Sequence, residues 1–401
     1  MKLKCDITLP ASKSESNRAL MIAAYGGFPC NALNLSDSKD TQTLKEILQG
    51  LLPTDSNHTN TARNDIGNNL RIIDVADCGT AARFLTTYLA CHEGQWLLTG
   101  TERMCRRPMA SLIDALQILG VEIQCVVNDG YLPLRIKENP IKGGKVSIDM
   151  TQSSQFASSL LLAAPMWSQG LEMEMLGDLS SLPYLNMTLA MMQHFSAQVE
   201  RVGRTIIVKP KPYQDQLFAI EPDWSAASYW YEMAAFSEEC EIRLRGLVGP
   251  STGSGTTSLQ GDTIIADWMQ QLGVGSFVDG NDVVLRKIPF EKRPLSFDFS
   301  QHPDLYPTIA AICTGLNVEA YFTGLDNLAL KESDRVEAMQ MELSKLSNHP
   351  VRFCAHNDHR IVMALAPLSM LIGPVSFDNP EVVKQSYPNF WDDVPFLPIE
   401  R

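Results

Sequence analysis

The chain has 401 residues, 45% hydrophobic and 20% charged. That is the balance of a soluble globular protein, and about 100–200 residues per domain implies two or three domains. Thirty-three Lys and Arg against 46 Asp and Glu leave a net charge of −13, which disfavours a surface that grips nucleic acid or anionic lipid but leaves room for a small anion in a local pocket.

The first segment, MKLKCDITLP, contains no apolar run long enough for a signal peptide, so none is expected. Further along, two kinds of segment alternate. The first runs from a small polar start into an alanine-rich apolar helix, at Ser14, Gly79, Ser153, Ser225, Asp304 and Asn357, with starts 53 to 79 residues apart. Helices apolar nearly all round are buried, and their small residues allow close packing. The second kind is a short apolar strand ending in a Gly or Asn turn, at Asn34, Gly100, Gly177, Gly246, Gly324 and Asn379. Amphipathic helices follow, such as MASLIDALQILG after Gly100 and ESDRVEAMQMELSKL after Lys331. Six copies of a β-α-β-α-β-β unit account for this pattern, and two three-unit domains are the economical arrangement. Leu51 to Leu70, polar and interrupting one unit, reads as a surface loop. The longest nearly apolar stretch, Ile361 to Val375, is broken by Pro367, Gly373 and Pro374. It falls short of the roughly 18–20 residues that span a bilayer, so no membrane passage is expected.

The helix starts carry the chemistry. Free N–H groups at a positive dipole end receive anions, although a helix cap explains any single start. Lys13, Arg18, Arg83, Arg103, Arg106, Arg107, Lys331, Arg335 and Arg360 all fall at or beside these starts or the Gly turns. Such a cluster in an acidic chain points to a ligand with several negative groups. Among the cations stand Asp304, Glu332, Asp334 and Asp358. Asp304, beside a proline on the flank of an apolar helix, suits a general base. Other signals carry less. Gly249 to Asp262 lacks the Lys-Ser/Thr ending of a P-loop. Cys105 between basic residues reads as an idle thiol, and Trp224, Tyr229, Trp230 and Tyr231 read as core. The nine cysteines show neither a C-x-x-C pair nor a histidine at ligand spacing. No metal site or disulfide framework is therefore expected, and reduced cytoplasmic thiols fit best.

The motifs LPASKSESNRAL, DCGTAARF, RMCRRP, SSQF, SLPY, LQGD, HPD, LKESDR and NDHR occur in this order over essentially the whole chain. In order and spacing the chain resembles the enolpyruvylshikimate-phosphate synthase family. The resemblance implies a two-domain inside-out α/β prism with the active site in the cleft between the domains. One domain would span 12–221, and the other would join 1–11 to 222–401. It implies a reaction between shikimate 3-phosphate and phosphoenolpyruvate, with no cofactor or metal, in a cytoplasmic monomer that engages neither nucleic acid nor membrane. By motif, Lys13, Ser14, Arg18, Ser153, Ser154, Gln155, Ser181, Tyr184, Asp304, Asn327 and Lys331 would hold shikimate 3-phosphate. Lys13, Gly79, Arg107, Gln155, Arg335, Arg360 and Lys384 would hold phosphoenolpyruvate. Asp304 would serve the accepting hydroxyl, Glu332 the methyl proton, and Lys13 proton transfer to the bridging oxygen, while His359 orients its neighbours. With no methyl group at Gly79, the inhibitor glyphosate should fit.

Two departures stand out. The family's Asn-Ala-Gly-Thr is Asp77-Cys78-Gly79-Thr80 here, and a family lysine three residues before a proline is Gln385, with Lys384 its neighbour. Lys384 reaches the ligand only through a one-residue shift. Two rival readings are a UDP-amino-sugar enolpyruvyl transferase of the same architecture and a non-catalytic anion-binding prism. Ser12-Lys13-Ser14 speaks against the first, and the retained Asp304, Glu332 and Lys13 against the second.

Overall fold

All six alanine-rich segments form helices: Lys13–Gly26, Gly79–Ala90, Ser154–Ala163, Trp224–Phe236, Tyr306–Gly315 and His359–Leu365. The computed structural model describes residues 1–51, 62–64, 70–248, 258–347 and 350–400. Every residue of Trp224–Phe236 is buried, including Tyr229, Trp230 and Tyr231. A helix without a polar face finds apolar neighbours on all sides.

The chain divides into two compact units. One comprises Met1–Lys13, Asn34–Lys39 and Ile220–Arg401, and the other Ser14–Leu33 and Asp40–Ala219. Among the described residues each unit holds three sheets. The first unit has a four-stranded sheet in which Lys2–Ile7 runs parallel to Glu239–Leu244, a parallel pair Leu295–Asp298 with Ala320–Thr323, and a sheet of Val351–Phe353, Val375–Phe377 and Ile399–Glu400. The second has a five-stranded sheet around Leu70–Asp74 and Gln95–Thr99, a four-stranded sheet around Gly144–Asp149 and Leu171–Leu176, and the pair Ala32–Leu33 with Phe218–Ala219. Each sheet contains a parallel pair.

The unit boundaries differ from those expected at 12 and 221. Ala11 bridges Pro222 and the Ser12 amide donates to the Glu221 carbonyl at 2.8 Å, so both crossings belong to the first unit. Asn34–Lys39 joins that unit as well, since Asn34 Nδ2 donates to the Ile220 carbonyl. Part of the segment read as a surface loop is an edge strand, Ala62–Asn64, antiparallel to Leu70–Asp74. Residues 52–61, 65–69 and 249–257 lie outside the described residues.

Five of the six turn positions serve two different ends. Asn34, Gly177, Gly246 and Gly324 take positive φ. At Gly100 the need is space, because a Cβ would lie 2.6 Å from the Ala76 carbonyl oxygen. Asn379, at φ −141°, needs neither.

Candidate active site

In the second unit the candidate site residues sit at the starts of four helices, Lys13–Gly26, Gly79–Ala90, Ser154–Ala163 and Leu182–His194. Arg18 is buried and bonded only to uncharged oxygens: Nε to Thr188 Oγ1 at 2.7 Å, Nη1 to the Ser14 carbonyl at 2.8 Å and Nη2 to the Tyr184 carbonyl at 3.0 Å. Burial lowers its pKa to about 10, against the pull of Tyr184 and Glu15. A buried guanidinium with no ion pair among the described residues has the charge to receive an anion. A relay of hydroxyls holds it, since Thr188 Oγ1 meets Ser158 Oγ at 3.0 Å and donates to the Tyr184 carbonyl.

Ser153 caps the Ser154 helix by accepting from the Gln155 amide at 3.2 Å, while Gln155 Nε2 donates to Thr80 Oγ1 at 3.0 Å. Gln155 thereby joins the Ser154 helix to the start of the Gly79 helix, beside buried Arg83 and Arg107. A Cβ on Gly79 would stand 2.6 Å from Arg107 Nη1 and closer still to Arg83 Nη1. Glycine here is what lets two guanidinium groups crowd a helix start. Ser181 precedes the Leu182–His194 helix with φ 56° and ψ 34°, left-handed for a non-glycine residue, and makes no capping bond with its side chain. Strain of that kind gathers at ligand sites.

Not every cation in the motif belongs here. Arg106 pairs with Glu102 in solvent, and Arg103 is exposed. Asp77 accepts from the Thr101 hydroxyl, which ties the extra carboxylate to a neighbouring loop. Among the described residues the Cys105 thiol hydrogen-bonds only to the Gly100 carbonyl.

The first unit carries the charged cluster. Arg335, 1% exposed, donates through Nε to Asp358 Oδ2, through Nη1 to Asp304 Oδ1 and through Nη2 to Glu332 Oε2, each at 2.8 Å. Arg360 Nη2 donates to Asp304 Oδ2 at 2.6 Å. Burial opposes charge on Asp304, but Arg360, Arg335 and Lys331 outweigh it and hold the carboxyl well below the usual range. Asp358 is likewise held low by Arg335 despite its burial. It also caps the His359 helix through the Arg360 amide at 3.0 Å, and Ser333 Oγ donates to it at 3.0 Å. Asn327 lies in the turn Asp326–Leu330, directly before Lys331.

Two helix starts that look open in the sequence are therefore closed by carboxylates. Asp358 occupies one, and Asp223 the other, accepting from the Ala226 amide at 2.8 Å and from the Lys13 amide at 3.3 Å. Asp223, one residue before an apolar helix, is legible as a cap. Thr188 left no such signal, because its partner Arg18 is 170 positions away.

Lys384 does not reach the cluster. Its side chain is 57% exposed and paired with Glu381 at 2.6 Å, whereas Gln385 is buried with Oε1 2.8 Å from His359 Nδ1. Pro380–Gln385 is a 3₁₀ turn, in which successive residues point about 120° apart, so neighbours cannot exchange faces.

Comparison with known proteins sets this geometry in context. The family model described as EPSP synthase (3-phosphoshikimate 1-carboxyvinyltransferase) matches residues 1–394. A 3-phosphoshikimate 1-carboxyvinyltransferase of Bacteroides fragilis is 37% identical over 98% of this chain and 95% of its own length. One from Haemophilus influenzae is 32% identical over 96% and 95%. The solved structure of an EPSP synthase from Acinetobacter baumannii aligns with a TM-score of 0.69 at 17% identity, over 99% of this chain and 96% of that one, a likeness of fold.

Proposed function

The chain belongs to the EPSP synthase family, and from that premise we propose that its two groups of site residues serve one reaction: transfer of the enolpyruvyl group of phosphoenolpyruvate to the 5-hydroxyl of shikimate 3-phosphate. Each substrate carries a phosphate and a carboxylate, and fixed cations offset their mutual repulsion so that the reacting atoms can approach. Arg18, with Lys13, Ser14, Ser153, Ser154, Gln155, Ser181, Tyr184, Asp304, Asn327 and Lys331, holds shikimate 3-phosphate. Arg107, Arg335 and Arg360, with Lys13, Gly79 and Gln155, hold phosphoenolpyruvate.

Asp304 accepts the proton of the 5-hydroxyl as its oxygen bonds to the central carbon of phosphoenolpyruvate, and Glu332, entering the step protonated, supplies its proton to the methylene carbon. From the tetrahedral adduct, phosphate leaves with the C–O electron pair as Glu332 recovers a methyl proton, and Lys13 protonates the departing bridging oxygen. The enol ether is restored on the acceptor. The observation that carries this reading is Asp304 itself, a partly exposed carboxylate held between Arg335 and Arg360 with Lys331 beside it. A site built only to bind anions has no use for it. This reading takes the chain to act as a monomer in the cytoplasm. Among the described residues no helix is long and apolar enough to cross a membrane.

Phosphate release from purified protein tests the reading. Turnover is expected with phosphoenolpyruvate and shikimate 3-phosphate and not with UDP-N-acetylglucosamine as acceptor. The reverse preference, or no turnover with either acceptor, overturns it.

A further inference from the structure

Asp304 is bound more tightly than a base should be. Both of its oxygens are committed to guanidinium groups, Oδ1 to Arg335 at 2.8 Å and Oδ2 to Arg360 at 2.6 Å. A carboxylate so engaged is ionised but a poor proton acceptor, because protonation forfeits two charge-assisted bonds. The three acids around Arg335 also differ in freedom. Asp358 is fully buried and fixed as a helix cap, whereas the side chains of Asp304 and Glu332 are 17% and 18% exposed. Arg335 therefore stays anchored through Nε while its Nη1 arm, with Nη2 of Arg360, forms a two-pronged cradle that already holds one carboxylate.

We propose that Asp304 is an internal competitor for this cradle: it occupies the arms that receive the carboxylate of phosphoenolpyruvate, and it becomes available to the accepting hydroxyl only when that carboxylate replaces it. The proposal rests on the reaction assigned above. It makes the base a positioned group whose release is coupled to arrival of the second substrate, so the hydroxyl is not deprotonated before there is a carbon for it to attack. Replacement requires only rotation of the Asp304 side chain, which sits in the single turn Pro303–Leu305 ahead of the Tyr306 helix.

The competition is read by binding rather than rate. Titration calorimetry follows phosphoenolpyruvate binding to the full chain at saturating 5-deoxyshikimate 3-phosphate, which lacks the accepting hydroxyl and so blocks turnover. Asp304→Asn and Asp304→Ala each remove the competing charge. Both are expected to bind phosphoenolpyruvate about tenfold more tightly than the wild type, as when an occupied form about ten times more populated is abolished. Inorganic phosphate, without a carboxylate, is expected to bind all three proteins alike. Unchanged or weakened phosphoenolpyruvate binding in both variants overturns the proposal, as does equal tightening for phosphate, which signals only a more positive field. Wild-type turnover of the two true substrates is measured alongside. Its absence removes the assigned reaction, whereas turnover with unaltered binding in the variants removes the competition alone.

Discussion

His359 and Gln385 form a buried pair with Nδ1 2.8 Å from Oε1. An amide oxygen only accepts, so the ring carries its proton on Nδ1. Nε2, buried and without a hydrogen-bond partner among the described residues, is left with its lone pair. ¹⁵N spectra of histidine-labelled protein should show a neutral Nδ1–H ring for His359. In Gln385→Lys the facing group becomes a donor, and the proton should move to Nε2. An unchanged tautomer in that variant contradicts the assignment.

The same ring makes stability depend on acid. Burial, reinforced by Lys13 and Arg360 against Asp358 and Glu332, lowers the His359 pKa from 6.5 to about 3. The unfolded chain therefore binds a proton that the folded chain refuses. The contribution is whole above pH 6.5 and is lost as the pH falls toward 3. His359→Gln removes this dependence, so its urea midpoint should decline less steeply than the wild type's between pH 7 and pH 4. Parallel declines would show that His359 is not the group responsible.

Glu232 lies inside the Trp224–Phe236 helix, 0% exposed, with neither carboxyl oxygen hydrogen-bonded among the described residues. Burial pushes its pKa well above the usual carboxyl range. A raised pKa contributes stability below the unfolded value near 4.5 and loses it as pH rises. Glu232→Met, unbranched and apolar, should stabilise the fold at pH 7.5 by about 1–3 kcal/mol and by less at pH 4. Denaturant melts at the two pH values decide this, and a destabilised variant at pH 7.5 rejects it.

Gly79→Ala should fold, since the helix start demands no positive φ there, but its methyl group must displace Arg107 and Arg83. KM for phosphoenolpyruvate is expected to rise about tenfold or more, the scale of one misplaced charge-assisted contact, with a smaller change in kcat. Glyphosate, expected to inhibit the wild type, should inhibit the variant less. Steady-state kinetics with an unaltered KM would place Arg107 outside the phosphoenolpyruvate site.

Arg335→Met removes the guanidinium shared by three carboxylates, of which Asp358 is fully buried. Removing one partner of a buried ionic cluster costs about 3–5 kcal/mol, so the variant should unfold at markedly lower urea. Stability within about 1 kcal/mol of the wild type, the ordinary effect of a single substitution, would mean that the cluster does not depend on Arg335.

Local pattern alone determined much of this protein. Alanine-rich runs without a polar face had to become buried helices. Their recurrence six times corresponds to three core helices and three sheets in each unit, because periodicity and side-chain size act within a few residues of one another. The motifs singled out the cations and acids that gather around Arg335 and at the Gly79 helix start for the same reason, being short and contiguous. Tertiary structure alone decided the pairings. Arg335 meets Asp304 31 positions away, Arg18 meets Thr188 170 away, and Asn34 meets Ile220 186 away. It also turned Lys384 outward and Gln385 inward. These contacts depend on how helices and strands distant in the chain pack, and a hydrogen bond tolerates only tenths of an ångström, finer than residue spacing along the sequence encodes.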